Sequence, residues 1–234
     1  MSGTPVSSAW AMPAVGRSAA PLRLQVVDVL RTAILTLDLQ PGQRLVEREL
    51  IERLEVSRST VREALRELES EGLVQVIPQR GAVVASLSHE DAADLYEARV
   101  AIEALLVRRF VERADDGQID ALQRAIGAYA AACERDGDTR GMLAAKDQVY
   151  AVLTDGASDS LRELLGSLNG RLRHLRARTL SQPGRPRQSA QELRDIGEAI
   201  ARRDVAAAVE HTSSHVKTAA QGWLDALEDP TPTG

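Results

Sequence analysis

The stretch between Leu22 and Ala85 constrains this chain most: three short helical segments run into two β-branched runs around a turn. Val26, Val27, Leu30 and Ile34 recur at helical spacing and predict an amphipathic helix over 22–37, broken by Asp38-Leu39-Gln40-Pro41-Gly42. A second short helix is expected through residues 45–54, with Leu50 and Leu54 one turn apart. Glu55-Val56-Ser57 makes a tight connection. The Ser57 hydroxyl suits the N-cap of a third helix over about 58–71, which Gly72 ends. Leu73-Val74-Gln75-Val76-Ile77 and Ala82-Val83-Val84-Ala85, joined by Pro78-Gln79-Arg80-Gly81, predict a small β-hairpin. This order describes a winged helix-turn-helix.

The third helix carries two faces. Val61, Leu65 and Leu68 lie on one side, where they can pack against Leu50 and Leu54. Arg58, Arg62 and Arg66 recur every four residues and form a stripe on another side. A recognition helix needs this division, an apolar back that locks it to its scaffold and polar residues near its N-terminus that reach base edges. The arginine fork grips guanine O6 and N7 together, or a phosphate. Ser59 and Thr60 suit phosphate contacts. Arginines sharing a helix with Glu63, Glu67 and Glu69 can also form a solvated, internally paired face, and the helix alone does not choose. The surrounding helix-turn-helix-hairpin order favours the recognition helix. Since the formal net charge is -5, no global basic field points to nucleic acid, and binding has to rest on these local arginines.

The runs Pro41-Gly42-Gln43-Arg44-Leu45, Glu47-Arg48-Glu49-Leu50, Val56-Ser57-Arg58-Ser59-Thr60-Val61-Arg62-Glu63-Ala64-Leu65, Glu71-Gly72-Leu73 and Arg80-Gly81 closely resemble the DNA-binding domain of the GntR family of transcription regulators. The resemblance covers residues 22–85. It implies that Arg48, Arg58, Thr60 and Arg62 contact double-stranded DNA with Ser59 in support, and that the wing tip, Arg80-Gly81, enters the minor groove. A glycine at 81 fits that role, because a side chain there would hold the backbone away from the duplex.

Beyond Ser86-Leu87-Ser88, read as a linker, no strand pattern is visible. Helical blocks are separated at Asp136-Gly137-Asp138, at Asp155-Gly156-Ala157-Ser158 and at Ser181-Gln182-Pro183-Gly184-Arg185-Pro186, giving about six helices. Aromatic residues make up only 3% of the chain, so Leu, Val, Ile and Ala must build the core. Leu95-Tyr96-Glu97-Ala98-Arg99, Ile102-Glu103, Ala199-Ile200, Arg203-Asp204, Ala208 and His215-Val216 resemble the FCD domain of the FadR-like branch of the same family. This looser resemblance, over about 89–228, implies a helical bundle with an internal ligand cavity and a role in homodimer formation.

Many FCD domains hold a divalent metal with one Asp and three His. By resemblance, Asp147 occupies the first ligand position and His215 the last, while Ala151 and Leu193 (after Glu192) stand where histidines belong. Methyl and isobutyl groups coordinate nothing, so no metal and no other cofactor is expected. An alternative set, Asp147, His211 and His215, stays open, since His211 lies one turn before His215. Asp147 and His215 are instead candidates for effector binding, together with Arg99. An arginine between Leu95 and Ile102 on the opening helix can grip the carboxylate of an organic acid. It can equally pair with Glu103 four residues on, and a neutral effector would suit Ala151 and Leu193.

Enzyme motifs are absent: there is no Gly-rich phosphate loop, no GxSxG and no HExxH. Cys133 is the only cysteine, which excludes an intramolecular disulfide or a CxxC site. No apolar run approaches the length needed to span a bilayer, and residues 1–20 lack the pattern of a secretory signal, so a cytoplasmic protein without a membrane partner is expected. The expected architecture is mainly α. A flexible tail (1–20) precedes a winged helix-turn-helix (21–86) of three helices plus hairpin; an all-α helical bundle (89–228) and a flexible tail (229–234) follow. The expected function is a DNA-binding regulator, a repressor, that acts on an inverted-repeat operator under control of a small molecule. The alternative is a winged-helix scaffold whose C-terminal domain no longer senses.

Overall fold

The computed structural model describes residues 21–135 and 138–228; the two tails expected to be flexible lie outside the described residues. The chain divides into two compact units, one running to Ser86 and including Ser167–His174, the other formed by Leu87–Gly166 and the chain from Leu175 on.

The first unit comprises α1 (Leu22–Leu35), α2 (Glu47–Leu54), α3 (Arg58–Ser70), β1 (Val74–Ile77) and β2 (Gly81–Val84). The apolar stripes predicted from spacing meet in one core: Val26, Val27, Leu30 and Ile34 of α1, Leu50 and Leu54 of α2, and Val61, Leu65 and Leu68 of α3 are all buried. Two helices are shorter than their periodicity suggests. The first stops at Leu35 because Leu37 turns left-handed (φ 63°), and Leu39 folds back, its N–H donating to the Ala33 carbonyl at 2.9 Å, to bury its own side chain. The second starts at Glu47 rather than at 45 because the backbone before it is taken by the hairpin. Gly42 N–H donates to the Val84 carbonyl (2.9 Å), Val84 N–H to Gln43 (2.8 Å) and Leu45 N–H to Ala82 (2.8 Å). Those bonds occupy the outer edge of β2, which would otherwise stand as an open strand edge.

The second unit comprises α4 (His89–Arg113), α5 (Asp116–Cys133), α6 (Thr139–Asp155), the two ends of α7 (Asp159–Leu180, less 167–174), α8 (Arg185–Ala201) and α9 (Val205–Glu228). Most starts are written locally. Ser88, Asp138 and Ser158 accept from the backbone N–H three residues on, and Asp115 with Gln118 forms a reciprocal capping box. Helix α4 packs on α9, α5 on both α6 and α8, and α8 on α9. Phe110, Tyr129 and Trp223 are fully buried among leucine, valine and alanine. Among the described residues, no strand lies outside the hairpin, and no helix is long and apolar enough to cross a membrane.

Candidate functional site

The first candidate site is the N-terminal end of α3. Ser57 caps it: its Oγ accepts from Thr60 N–H (3.2 Å) and lies 2.8 Å from the hydroxyls of both Ser59 and Thr60. The cap holds these short side chains together at the positive end of the helix. Arg58, Ser59, Arg62 and Arg66 are exposed, as is Arg48 on α2, and Thr60 is half-buried. The glutamates of α3 do not neutralise the stripe by pairing within the helix. Glu67 pairs with Arg23 and Glu71 with Arg31 (2.5 Å), both on α1, which draws acidic charge away from the arginine face. Arg62 is tied instead to α2, its Nε donating to Glu47 at 3.0 Å. Arg48, Arg58, Arg66 and Arg80 take part in no ion pair among the described residues.

The hairpin supplies the candidate wing. β1 and β2 pair antiparallel with Val74 opposite Val84 and Ile77 opposite Gly81, so Gly81 opens the second strand and the turn is Pro78-Gln79-Arg80. Gln79 (φ 64°) and Gly81 (φ 84°) are both left-handed, a geometry that costs glycine little, and a β-carbon at position 81 would meet nothing within 4 Å. Arg80 is exposed at the tip.

The second candidate site is a polar cluster inside the helical unit. Arg99 and Glu103 on α4 are both 2% exposed and paired, Nε to Oε1 at 3.0 Å; the internal pairing left open by the sequence is what the structure shows. Glu103 is shared with Arg176 of α7 (3.5 Å) and accepts from the Tyr150 hydroxyl of α6 (2.8 Å). The Arg176 guanidinium stacks on the Tyr150 ring, 3.5 Å from its centroid, and reaches toward Asp147 at 3.9 Å. Burial pushes the Glu103 carboxyl up, but Arg99, Arg176 and the Tyr150 hydroxyl pull it further down, so it stays ionised below the usual carboxylate range.

Lys146, also on α6, is 3% exposed. Its Nζ donates to Ser189 Oγ of α8 (2.9 Å) and lies 3.4 Å from His215 Nε2 of α9 and 5.4 Å from the Tyr129 ring centroid of α5. Tyr129 donates its hydroxyl to the same Ser189 Oγ at 2.8 Å. The other ring nitrogen, Nδ1 of His215, faces Glu192 at 2.5 Å, and Glu192 accepts from Arg185 at 2.8 Å. A proton on Nδ1 satisfies Glu192 and leaves the Nε2 lone pair for Lys146. Burial, then the neighbouring Lys146 and arginines, hold His215 well below the ordinary histidine value and therefore neutral. Burial and the guanidiniums of Arg176, Arg99 and Arg185 likewise lower the Lys146 amine.

These residues do not fit a metal. A cation cannot share the inward nitrogen of His215 with an amine already seated on it, and Ala151 and Leu193 add no donors. His211, the alternative ligand, is exposed whereas His215 is buried. No group of three His, Cys, Asp or Glu poised to hold an ion occurs among the described residues.

Lys146, Arg176, Arg185 and Ser189 escaped the sequence reading. One signal was available. Met142, Leu143, Val149 and Leu153 mark the buried face of α6, and Lys146 falls on the same face at helical spacing. Apart from the cluster, a groove of about 400 Å³ runs along α4 and α9, lined by Ala93, Tyr96, Glu97, Val100, Lys217 and Ala220.

Among known proteins, residues 22–84 match the family described as bacterial regulatory proteins, gntR family, and residues 94–218 match the FCD domain. YdhC of Bacillus subtilis, an HTH-type transcriptional regulator, is 25% identical over 89% of this chain and 94% of its own length. RspR of Escherichia coli, an HTH-type transcriptional repressor, is 27% identical over 84% of this chain and 86% of its own. A solved structure described as a GntR transcriptional regulator from Rhodococcus sp. RHA1 is 26% identical with a TM-score of 0.71, covering 87% of this chain and 98% of that one.

Proposed function

This chain belongs to the GntR family, with an FCD domain behind its DNA-binding domain, and we propose from that premise that a small molecule held inside the helical unit sets its affinity for an inverted-repeat operator. The chain is a DNA-binding transcription regulator and not an enzyme. On our reading, residues 21–86 contact DNA through Arg48, Arg58, Ser59, Thr60 and Arg62, with Arg80-Gly81 in the minor groove. Residues 89–228 hold the effector and pair two copies. One recognition helix reads few base pairs, so useful specificity calls for two, and a two-fold dimer calls for a palindromic site. Repression is the sense suggested by the name of RspR.

The sensing part of this reading rests on the interior of the helical unit, where all six helices contribute a polar side chain to one cluster. Burying Arg99, Lys146, Arg176 and Arg185 costs several kcal/mol per ion before pairing, and apolar residues of the same size commonly serve a fold as well or better. A scaffold that no longer sensed would have no use for such an interior. Gel shift on DNA upstream of the protein's own gene, across a salt series, tests the operator. Failure to bind it more tightly than unrelated DNA of equal length would overturn the operator assignment.

A further inference from the structure

We propose that Lys146 stands in this chain for the divalent cation of metal-bearing FCD domains: its amine, seated on His215 and Ser189, joins α6, α8 and α9 in place of an ion. This role belongs to the assembly of the helical unit and holds whichever effector the unit takes.

His215 keeps the setting of a metal ligand. A histidine that binds a metal characteristically donates its other ring N–H to a carboxylate, which fixes the tautomer and leaves one lone pair for the ion. The buried His215 ring has that arrangement: Nδ1 faces Glu192 at 2.5 Å, and Glu192 is held in turn by Arg185 at 2.8 Å. The group that takes the remaining lone pair is what differs. Lys146 Nζ lies 3.4 Å from Nε2. An N–H and a metal ion compete for the same electron pair, and an imidazole nitrogen has only one to give.

The other neighbours suit an amine and fail an ion. Ser189 is buried, and its Oγ accepts from Lys146 (2.9 Å) and from the Tyr129 hydroxyl (2.8 Å). A serine oxygen has two lone pairs, so both are engaged. The Tyr129 ring centroid lies 5.4 Å from Nζ, within reach of a cation–π contact. Leu193, one turn after Ser189 on α8, is buried and offers only hydrocarbon. Helix α6 turns Lys146 inward rather than the two positions that resemble ligands. Asp147 faces Arg176 at 3.9 Å, and Ala151 is exposed.

The exchange alters what the unit depends on. A bound metal stabilises a fold by mass action, so its contribution follows the supply of the free ion. A side-chain amine is always present. Its burial is costly, and the hydroxyl, the ring nitrogen and the aromatic face offset that cost. Operator binding by this chain should therefore be indifferent to divalent cations.

The test is zinc binding to the full chain and to Lys146→His, by calorimetry and by thermal melting. The substitution sets a lone pair where the N–H stood, so an ion can join two imidazoles. The variant should bind zinc at least about tenfold more tightly than the wild type, the lower end of what one side chain beside a metal ligand changes. Zinc should raise the melting temperature of the variant and leave that of the wild type unchanged. Nitrogen NMR of the histidine rings in the wild type decides the matter if the variant does not fold. Nε2 of His215 should be the unprotonated nitrogen, and its signal should stay in place on adding zinc or EDTA. No gain of zinc affinity in a folded Lys146→His variant would overturn the proposal. So would a His215 signal that follows zinc or chelator in the wild type, or a wild-type operator affinity that falls with chelator.

Discussion

Replacing Arg58 with alanine isolates the contribution of the recognition helix to DNA binding. Arg58 sits in the first turn of α3, exposed and in no ion pair among the described residues, so its removal disturbs neither the Ser57 cap nor the buried side of the helix. A bidentate contact to guanine contributes about 1–3 kcal/mol of discrimination, so Arg58→Ala should weaken specific binding by about 5- to 150-fold. Arg62 differs because it must leave Glu47 to reach DNA. That pair is well exposed, with 60% and 39% side-chain exposure, and such pairs contribute at most about 1 kcal/mol. Arg62→Ala should therefore cost less than Arg58→Ala by up to about fivefold, and Glu47→Gln should tighten binding by up to the same factor. Fluorescence anisotropy with operator and scrambled duplexes measures all three. If an arginine touches only phosphate, its loss weakens both duplexes alike and lowers the salt slope by about 1. Wild-type affinity in both arginine variants, with folding intact, would refute the recognition-helix assignment.

Three further outcomes are expected. Ser57→Ala should lower the stability of the first unit by about 1 kcal/mol, read by thermal melting, because it removes the cap of α3; an unchanged melt would mean that the cap is idle. Folded Lys146 releases its proton below the ordinary lysine value, so the unfolded chain binds more protons between that lowered value and about pH 10.4. Stability from this group should therefore rise with pH across that window, and Lys146→Met should remove the rise; a slope identical in both proteins would count against a buried amine. Purified protein should carry no stoichiometric zinc, nickel or manganese by elemental analysis, and a chelator should leave its melting temperature unchanged. One tightly held equivalent would show that His215 can release Lys146 in favour of an ion.

Much of the first unit was legible because its signals are local. The helical spacing of Val26, Leu30 and Ile34, a serine before Arg58, and a glycine after Glu71 act within a turn or two of chain, and each marked a boundary or a face. The shortened ends were not legible. Leu45 looks helical in its own window, but its N–H is claimed by Ala82, 37 positions along the chain. The candidate DNA face was readable as residue types, while the distribution of its charge was not. Glu67 counts as an acidic neighbour of the stripe in the sequence, but α1 brings Arg23 against it, as it brings Arg31 against Glu71.

The sequence by itself determined the element order, the apolar faces and the substitutions at Ala151 and Leu193 that remove metal donors, since these depend on residue identity and short-range period. Only the tertiary structure decided which buried basic group has no carboxylate paired with it among the described residues. Arg99 was visible on α4, and its bond to Glu103 is local, but the partners of Lys146 lie 43 and 69 positions away on α8 and α9. Whether a buried cation is neutralised depends on what lies within a few ångströms of it, because charge interactions in a low-dielectric interior are strong and unscreened. Those few ångströms are set by the packing of six helices, and no window along the chain contains them.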